Sequence, residues 1–128
     1  MKMTLECLFR LGTGKDKMIQ KPWGHEEVLF IGQGYKIKLL TIRLGSQTSL
    51  QRHKHREEKL ILLQGELVVI VQADYDCPYI DVPVIIPRFA VHRLQNIGGI
   101  EAKILEIQRG EILDDNDIER LEDDYGRA

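Results

Sequence analysis

Ser49-Leu50-Gln51-Arg52-His53-Lys54-His55-Arg56-Glu57-Glu58-Lys59 is the stretch on which the reading of this chain turns. It carries two of the four histidines, one residue apart, with Gln51 before them and Glu57 and Glu58 close behind. Alternate side chains of a strand share a face, so Gln51, His53 and His55 are expected to point the same way. Two neutral imidazoles, an amide oxygen and a carboxylate meeting at one point form a donor set for a divalent transition metal. The competing reading makes His53, Lys54, His55 and Arg56 a polar outer face. The metal reading requires a fold that brings further donors to this point.

Outward from this stretch the chain reads as short strands broken by turns. Lys59 to Leu63 is strongly apolar, Gln64-Gly65-Glu66 is expected to make a tight hairpin, and Leu67 to Val71 to return beside it. Ala73 to Pro78 reads as a loop, and Tyr79 to Ile86 as a strand that Pro83 assigns to an edge or a bulge. Pro87-Arg88-Phe89-Ala90 turns into Val91 to Gln95, Asn96 to Gly99 turns again, and Glu101 to Gln108 alternates as a last long strand. Upstream, Pro22-Trp23-Gly24-His25 leads into a strand from His25 to Ile31. Trp23 is expected across a barrel end and His25 in a structural or exposed role. Tyr35 to Leu44 alternates oddly, because the even positions begin with Lys36 and Lys38 and continue with Leu40 and Ile42. A bulge would explain the switch, as would a cavity that admits the two lysines; otherwise both face water. Regularly spaced short strands indicate a β-sandwich or small barrel. After Gly110 the chain turns acidic, and Asn116 is expected to cap a short helix containing Ile118 and Leu121.

The 128 residues suit one domain. Residues 1–21 form an N-terminal segment, a strand or an arm, and residues 22–128 the domain itself. A net charge of −2 gives no ground for a nucleic-acid or membrane partner. Cys7 and Cys77 lack CxxC spacing and read as free thiols of a reducing compartment. Leu5 to Leu11 is broken by Glu6 and Arg10, so it does not read as a signal peptide, and a cytoplasmic protein is expected. Gly12-Thr13-Gly14-Lys15 lacks the full spacing of a phosphate loop and reads as a turn.

His92 follows the Pro87 turn and precedes Asn96. The candidate ligands are therefore Gln51, His53, His55, Glu58 and His92, with Glu57 replacing Glu58 if a bulge shifts the register. Nitrogen and oxygen donors without thiolate suit Zn, Mn, Fe, Co or Ni, with zinc placed first.

The pattern HxH…E…G followed by P…H…N resembles the two motifs of the cupin superfamily. The more specific resemblance is to type II phosphomannose isomerase. Its carriers are Lys21-Pro22-Trp23-Gly24, Tyr35-Lys36-Ile37-Lys38, Ser49-Leu50-Gln51 with His53, His55, Arg56 and Glu58, then Pro87…His92-Arg93-Leu94…Asn96, Glu106-Ile107-Gln108 and the tail Asp117 to Arg127. The resemblance implies an all-β, single-domain cupin, a double-stranded β-helix or jelly roll, here with a short helical tail. It implies interconversion of mannose 6-phosphate and fructose 6-phosphate through an enediol(ate). Arg56, Lys38 and Glu57 are the candidate catalytic groups; Lys36, Arg93, Arg120 and Arg127 are candidates for holding the substrate, with Arg56 the first choice for its phosphate. Two departures stand out. Lys59-Leu60 replaces the His-Trp that follows the motif glutamate in the family, and Phe89 replaces a turn glycine. They keep open another cupin isomerase or epimerase, for a phospho- or nucleotide-linked sugar, and a sugar-binding cupin without catalysis. The expected partner is a small sugar phosphate. A homodimer is expected from exposed edge strands and the Trp-bearing N-terminal segment.

Overall fold

The computed structural model describes residues 18–128, which contain eleven strands and no helix. In chain order these are β1 (Met18–Lys21), β2 (Gly24–Gly32), β3 (Tyr35–Ile42), β4 (Leu50–Arg52), β5 (Glu57–Gln64), β6 (Leu67–Val71), β7 (Asp74–Asp76), β8 (Val84–Ile86), β9 (His92–Asn96), β10 (Ala102–Arg109) and β11 (Glu119–Glu122). All pair antiparallel, in one sheet ordered β1-β2-β3-β10-β5-β8 and a second ordered β11-β4-β9-β6-β7. Cys7 and the Gly12-Thr13-Gly14-Lys15 turn lie outside the described residues.

Alternation within the strands explains the layering. On β5, Glu58, Leu60 and Leu62 are buried while Glu57 and Lys59 are exposed; on β10, Ala102, Ile104, Glu106 and Gln108 are buried. The inward rows of the two sheets enclose one apolar core, with Ile42, Ile86, Ile104 and Val69 almost completely buried. The same rows carry polar groups at one end of the sandwich. Glu26, Lys36, Lys38, Glu58, Glu106 and Gln108 are all buried there.

β3 keeps an unbroken register against β10, and its even positions face inward from Lys36 to Ile42. The register shift beside it lies on β2, between Val28 and Phe30. A polar cavity accounts for Lys38, and the tail residues Leu113 and Asp115 for Lys36, rather than a bulge in β3.

Several local expectations need correcting. Gln64-Gly65-Glu66 is no hairpin turn, because β5 and β6 belong to different sheets. Gly65, at φ +88°, takes the chain across the sandwich so close to β10 that an added Cβ would sit 3.1 Å from Cα of Ala102. Within Tyr79 to Ile86, only Val84–Ile86 is strand, and the loop from Ala73 contains β7. The tail is not helical: 119–122 is strand β11, paired with the edge of β4. Asp114 accepts a hydrogen bond from the Asn116 amide in a turn, and the free backbone groups of β4 override the weak helical pattern. Trp23 is only 6% exposed and packs into the core.

Phe89 holds φ at +67° in the Pro87 turn, where its amide donates to the His53 carbonyl at 2.8 Å. Left-handed backbone costs a non-glycine residue about 1–2 kcal/mol, and glycine gives back about 0.4–1 kcal/mol through unfolded-chain entropy. The ring is 57% exposed, so little packing is at stake. Phe89→Gly is expected to stabilise the fold by up to about 1 kcal/mol. Ile104→Ala, in the core, should cost about 2–5 kcal/mol. Denaturant unfolding of both variants checks the contrast.

Candidate metal centre

β4 ends at Arg52, so the chain has left the strand when it reaches His53. Asp117 shapes the turn beyond Arg52. Its carboxylate accepts the amides of Lys54 at 3.0 Å and His55 at 2.9 Å, and its carbonyl lies 2.6 Å from His53 Nδ1. A carbonyl can only accept, so Nδ1 of His53 carries the hydrogen and Nε2 keeps its lone pair. His92 repeats the arrangement, with Nδ1 2.9 Å from the Ala90 carbonyl. Both rings are thus oriented by their outer nitrogen, as metal-binding histidines commonly are.

The two Nε2 atoms converge on Glu58, which is buried on the facing sheet. His92 Nε2 lies 3.2 Å from Oε1 and His53 Nε2 3.7 Å from Oε2. Donor atoms of His53, Glu58 and His92 all lie within 4.8 Å of one another. His92 Nε2 is buried and has no hydrogen-bond partner among the described residues. A lone pair and a carboxylate oxygen at this separation, away from water, repel unless a cation lies between them. A proton or a metal ion would answer that need, and nitrogen and carboxylate donors suit a divalent transition metal. Gln51 lines the same cavity and sits directly across from His92 in the strand register. Its Oε1 accepts from the Ser49 hydroxyl at 2.9 Å.

Around this cluster the charges are arranged in a chain. Arg56 donates to Glu58 Oε2 from Nε at 3.1 Å and approaches it with its terminal nitrogen at 2.9 Å. Burial by itself would push the Glu58 carboxyl up; the proton of Glu106 and the Arg56 charge reverse this and hold it well below the carboxylate range. Burial and the charge of Glu58 push Glu106 well above that range, so Glu106 is the proton-bearing partner of the pair. Burial lowers the His53 pKa against the pull of Glu58 and keeps the ring neutral. Burial also opposes the charge on Lys38, but the Glu26 carboxylate, which accepts a hydrogen bond from it, and Asp115 outweigh it and its pKa is raised. Lys38 meets Glu26 at 2.9 Å and Asp115 at 3.1 Å.

The structure separates the expected site residues. Gln51, His53, Glu58 and His92 come together, with Arg56 and Lys38 on the cavity wall and Arg120 and Arg127 also lining it. His55 does not join them. Its side chain is exposed, because the strand parity that was to align it ends at Arg52 and Asp117 holds the turn. Glu57 is exposed opposite Arg109, since β5 runs without a bulge at this end. Arg93 is spent on the Thr48 carbonyl at 2.9 Å and on Glu122 at 3.5 Å. Lys36 binds the Leu113 carbonyl at 3.0 Å and Asp115 at 3.6 Å. Both tie down the tail and neither lines the cavity. Glu26 escaped the sequence reading, and Glu106 entered it only within the Glu106-Ile107-Gln108 block, although both break an inward apolar row, beside Val28 and Ile104. Asp117 left no signal beyond an acidic turn.

Two antiparallel sheets with such a cluster between their inner faces define a cupin. The cupin domain of Schizosaccharomyces pombe Cnp3 superposes with a TM-score of 0.64 at 21% identity, over 67% of this chain and 64% of that one. The chain belongs to the family described as mannose-6-phosphate isomerase C-terminal, whose model matches residues 12–123. It is 35% identical over its whole length to the alginate biosynthesis protein AlgA of Pseudomonas putida, covering 26% of that protein. It is 31% identical over 86% of its length to the mannose-1-phosphate guanylyltransferase ManC of Salmonella typhimurium, covering 23% of that one. The chain thus spans about a quarter of the length of these relatives.

Metal analysis separates the two histidines of the opening stretch. His55→Ala should retain the metal content of the wild type, and His53→Ala and His92→Ala should lose it. Farther along the cavity, Arg127 holds the Asp123 carboxyl down to about 2. The resulting stabilisation is complete above the ordinary aspartate value and is lost as pH falls toward about 2. In Arg127→Met, NMR titration should find Asp123 returned toward about 3.9.

Proposed function

We propose that this chain is a metal-dependent aldose–ketose isomerase that interconverts mannose 6-phosphate and fructose 6-phosphate. The observation that carries the reading is the buried, unpartnered Nε2 of His92 facing Glu58 on a polar cavity, in a chain of this family. Gln51, His53, Glu58 and His92 would hold the ion, with zinc the first candidate. When bound, it would polarise the sugar carbonyl and stabilise the negative charge of an enediolate.

The remaining work falls to the chain itself. One proton must leave C2 and return to C1. Glu58 and the proton-bearing Glu106 are committed to each other and to Arg56, which leaves Glu26 and Asp115 as the cavity carboxylates outside the metal cluster; Asp115 is half exposed on the tail, and Glu26 is the buried one. Glu26 takes and returns the proton, and Lys38, held charged at 2.9 Å, donates toward the carbon-bound oxygens. Arg56 keeps Glu58 ionised. Trp23, Leu40, Leu60 and Leu94 form apolar walls that limit water. Of the two departures from the family pattern near Glu58, Lys59 faces solvent and only Leu60 touches the cavity. That one wall residue favours, as the second reading, the same chemistry on a different phosphosugar.

A coupled assay for fructose 6-phosphate, with Zn, Mn, Co or Ni supplied, tests the proposal. Turnover is expected with at least one metal, and Glu26→Gln should lower it by about 10²–10⁴-fold while mannose 6-phosphate still binds. A folded, metal-loaded protein that turns over other phosphosugars instead would move the assignment to the second reading. One that turns over none would end the enzymatic one.

A further inference from the structure

We infer that Arg120 and Arg127 form a subsite for a phosphomonoester dianion at the end of the cavity opposite Glu58. The inference rests on the proposed sugar-phosphate substrate for the rest of the ligand, and the charge accounting of the cavity leads to it independently.

The other cations near the cavity are already neutralised. Arg56 is held by Glu58, Lys38 by Glu26 and Asp115, Lys21 by Glu26 at 4.0 Å, and Lys36 by Asp115 and the Leu113 carbonyl. A phosphate placed among them would also face Glu26, Glu58 and Asp115, and like charges at such distances are costly. Arg120 differs. Its Nε is buried yet has no hydrogen-bond partner among the described residues. Its nearest charged neighbours are the Arg127 guanidinium and the one carboxylate of Asp123, which Arg127 occupies through Nε at 2.8 Å and a terminal nitrogen at 2.9 Å. Two guanidiniums against one carboxylate leave uncompensated positive charge beside the cavity. Their flat donor forks match phosphate oxygens.

The strand register sets the distance. Arg120 pairs with Gln51, and Gln51 with His92, so the three form one row across the second sheet with side chains on a common face. Neighbouring strands lie about 4.8 Å apart, which puts the Arg120 backbone about 10 Å from that of His92. An extended hexose 6-phosphate reaches across such a gap, with its C1–C2 end at the metal cluster and its phosphate at the arginines. The subsite thereby selects a sugar phosphorylated at the end remote from its carbonyl over the free sugar.

Calorimetric titration of the full chain with mannose 6-phosphate, mannose and inorganic phosphate tests this without requiring turnover. Arg120→Met and Arg127→Met should each weaken mannose 6-phosphate binding by about ten- to a hundredfold and leave mannose binding unchanged. Arg120→Lys should recover part of the loss. Arg120 is the decisive position, because its Nε has no partner in the fold to lose. Unchanged affinity in Arg120→Met, or no binding of either phosphate-bearing probe by the wild type, overturns the subsite. The two readings fail separately. Arginine-dependent binding without fructose 6-phosphate formation keeps the subsite and removes the isomerase, and turnover with an unchanged KM in Arg120→Met does the reverse.

Discussion

His92 Nε2 and Glu58 Oε1 face each other at 3.2 Å across the interior of the sandwich, one from each sheet. Both residues are buried, and with His92 Nδ1 committed to the Ala90 carbonyl the contact cannot be an ordinary hydrogen bond of a neutral ring. It requires a cation. Much of the polar end of the structure depends on that requirement. Arg56 balances Glu58, Glu106 shares a proton with it, and Lys38 and Glu26 extend the alternation to the neighbouring strands. An apolar replacement of any one member would leave its partner buried without compensation, a penalty of several kcal/mol in comparable settings.

The tail belongs to this same construction. Leu113 and Asp115 receive Lys36 and Lys38, Asp117 holds His53 and the backbone after it, Glu119 meets Arg52 at 2.8 Å, and Glu122 meets Arg93. Residues 113–122 run along the cavity and supply Asp115, Ile118 and Arg120 to its wall. This explains why its conformation obeys tertiary pairing rather than its own weak helical preference. A helix would satisfy its own backbone but would withdraw Asp117 from His53 and leave the edge of β4 open.

Much of the fold was legible because it rests on periodicity. The inward rows of β5 and β10 can be read directly, and so can the turns around Pro87 and Asn96. The cluster of His53, Glu58 and His92 was legible as residue types, with Gln51 on the same cavity, since few other reasons place such residues among short apolar strands. The misreadings share a cause. His55, the Gly65 hairpin and the helical tail were all inferred by extending a local pattern past the point where a long-range contact ends it. Asp117 stops the strand at His53, the sheet order splits β5 from β6, and the free edge of β4 captures the tail.

By itself, then, the sequence determined the class of fold, the strand parities and the types of donor, because two-residue alternation and side-chain chemistry are local properties. The tertiary structure decided which histidine partners His92, which lysines and arginines are already neutralised, and which glutamate carries the proton. These depend on the distances between charges on different strands and on how little water reaches them. Neither quantity is written in the spacing of residues along one chain.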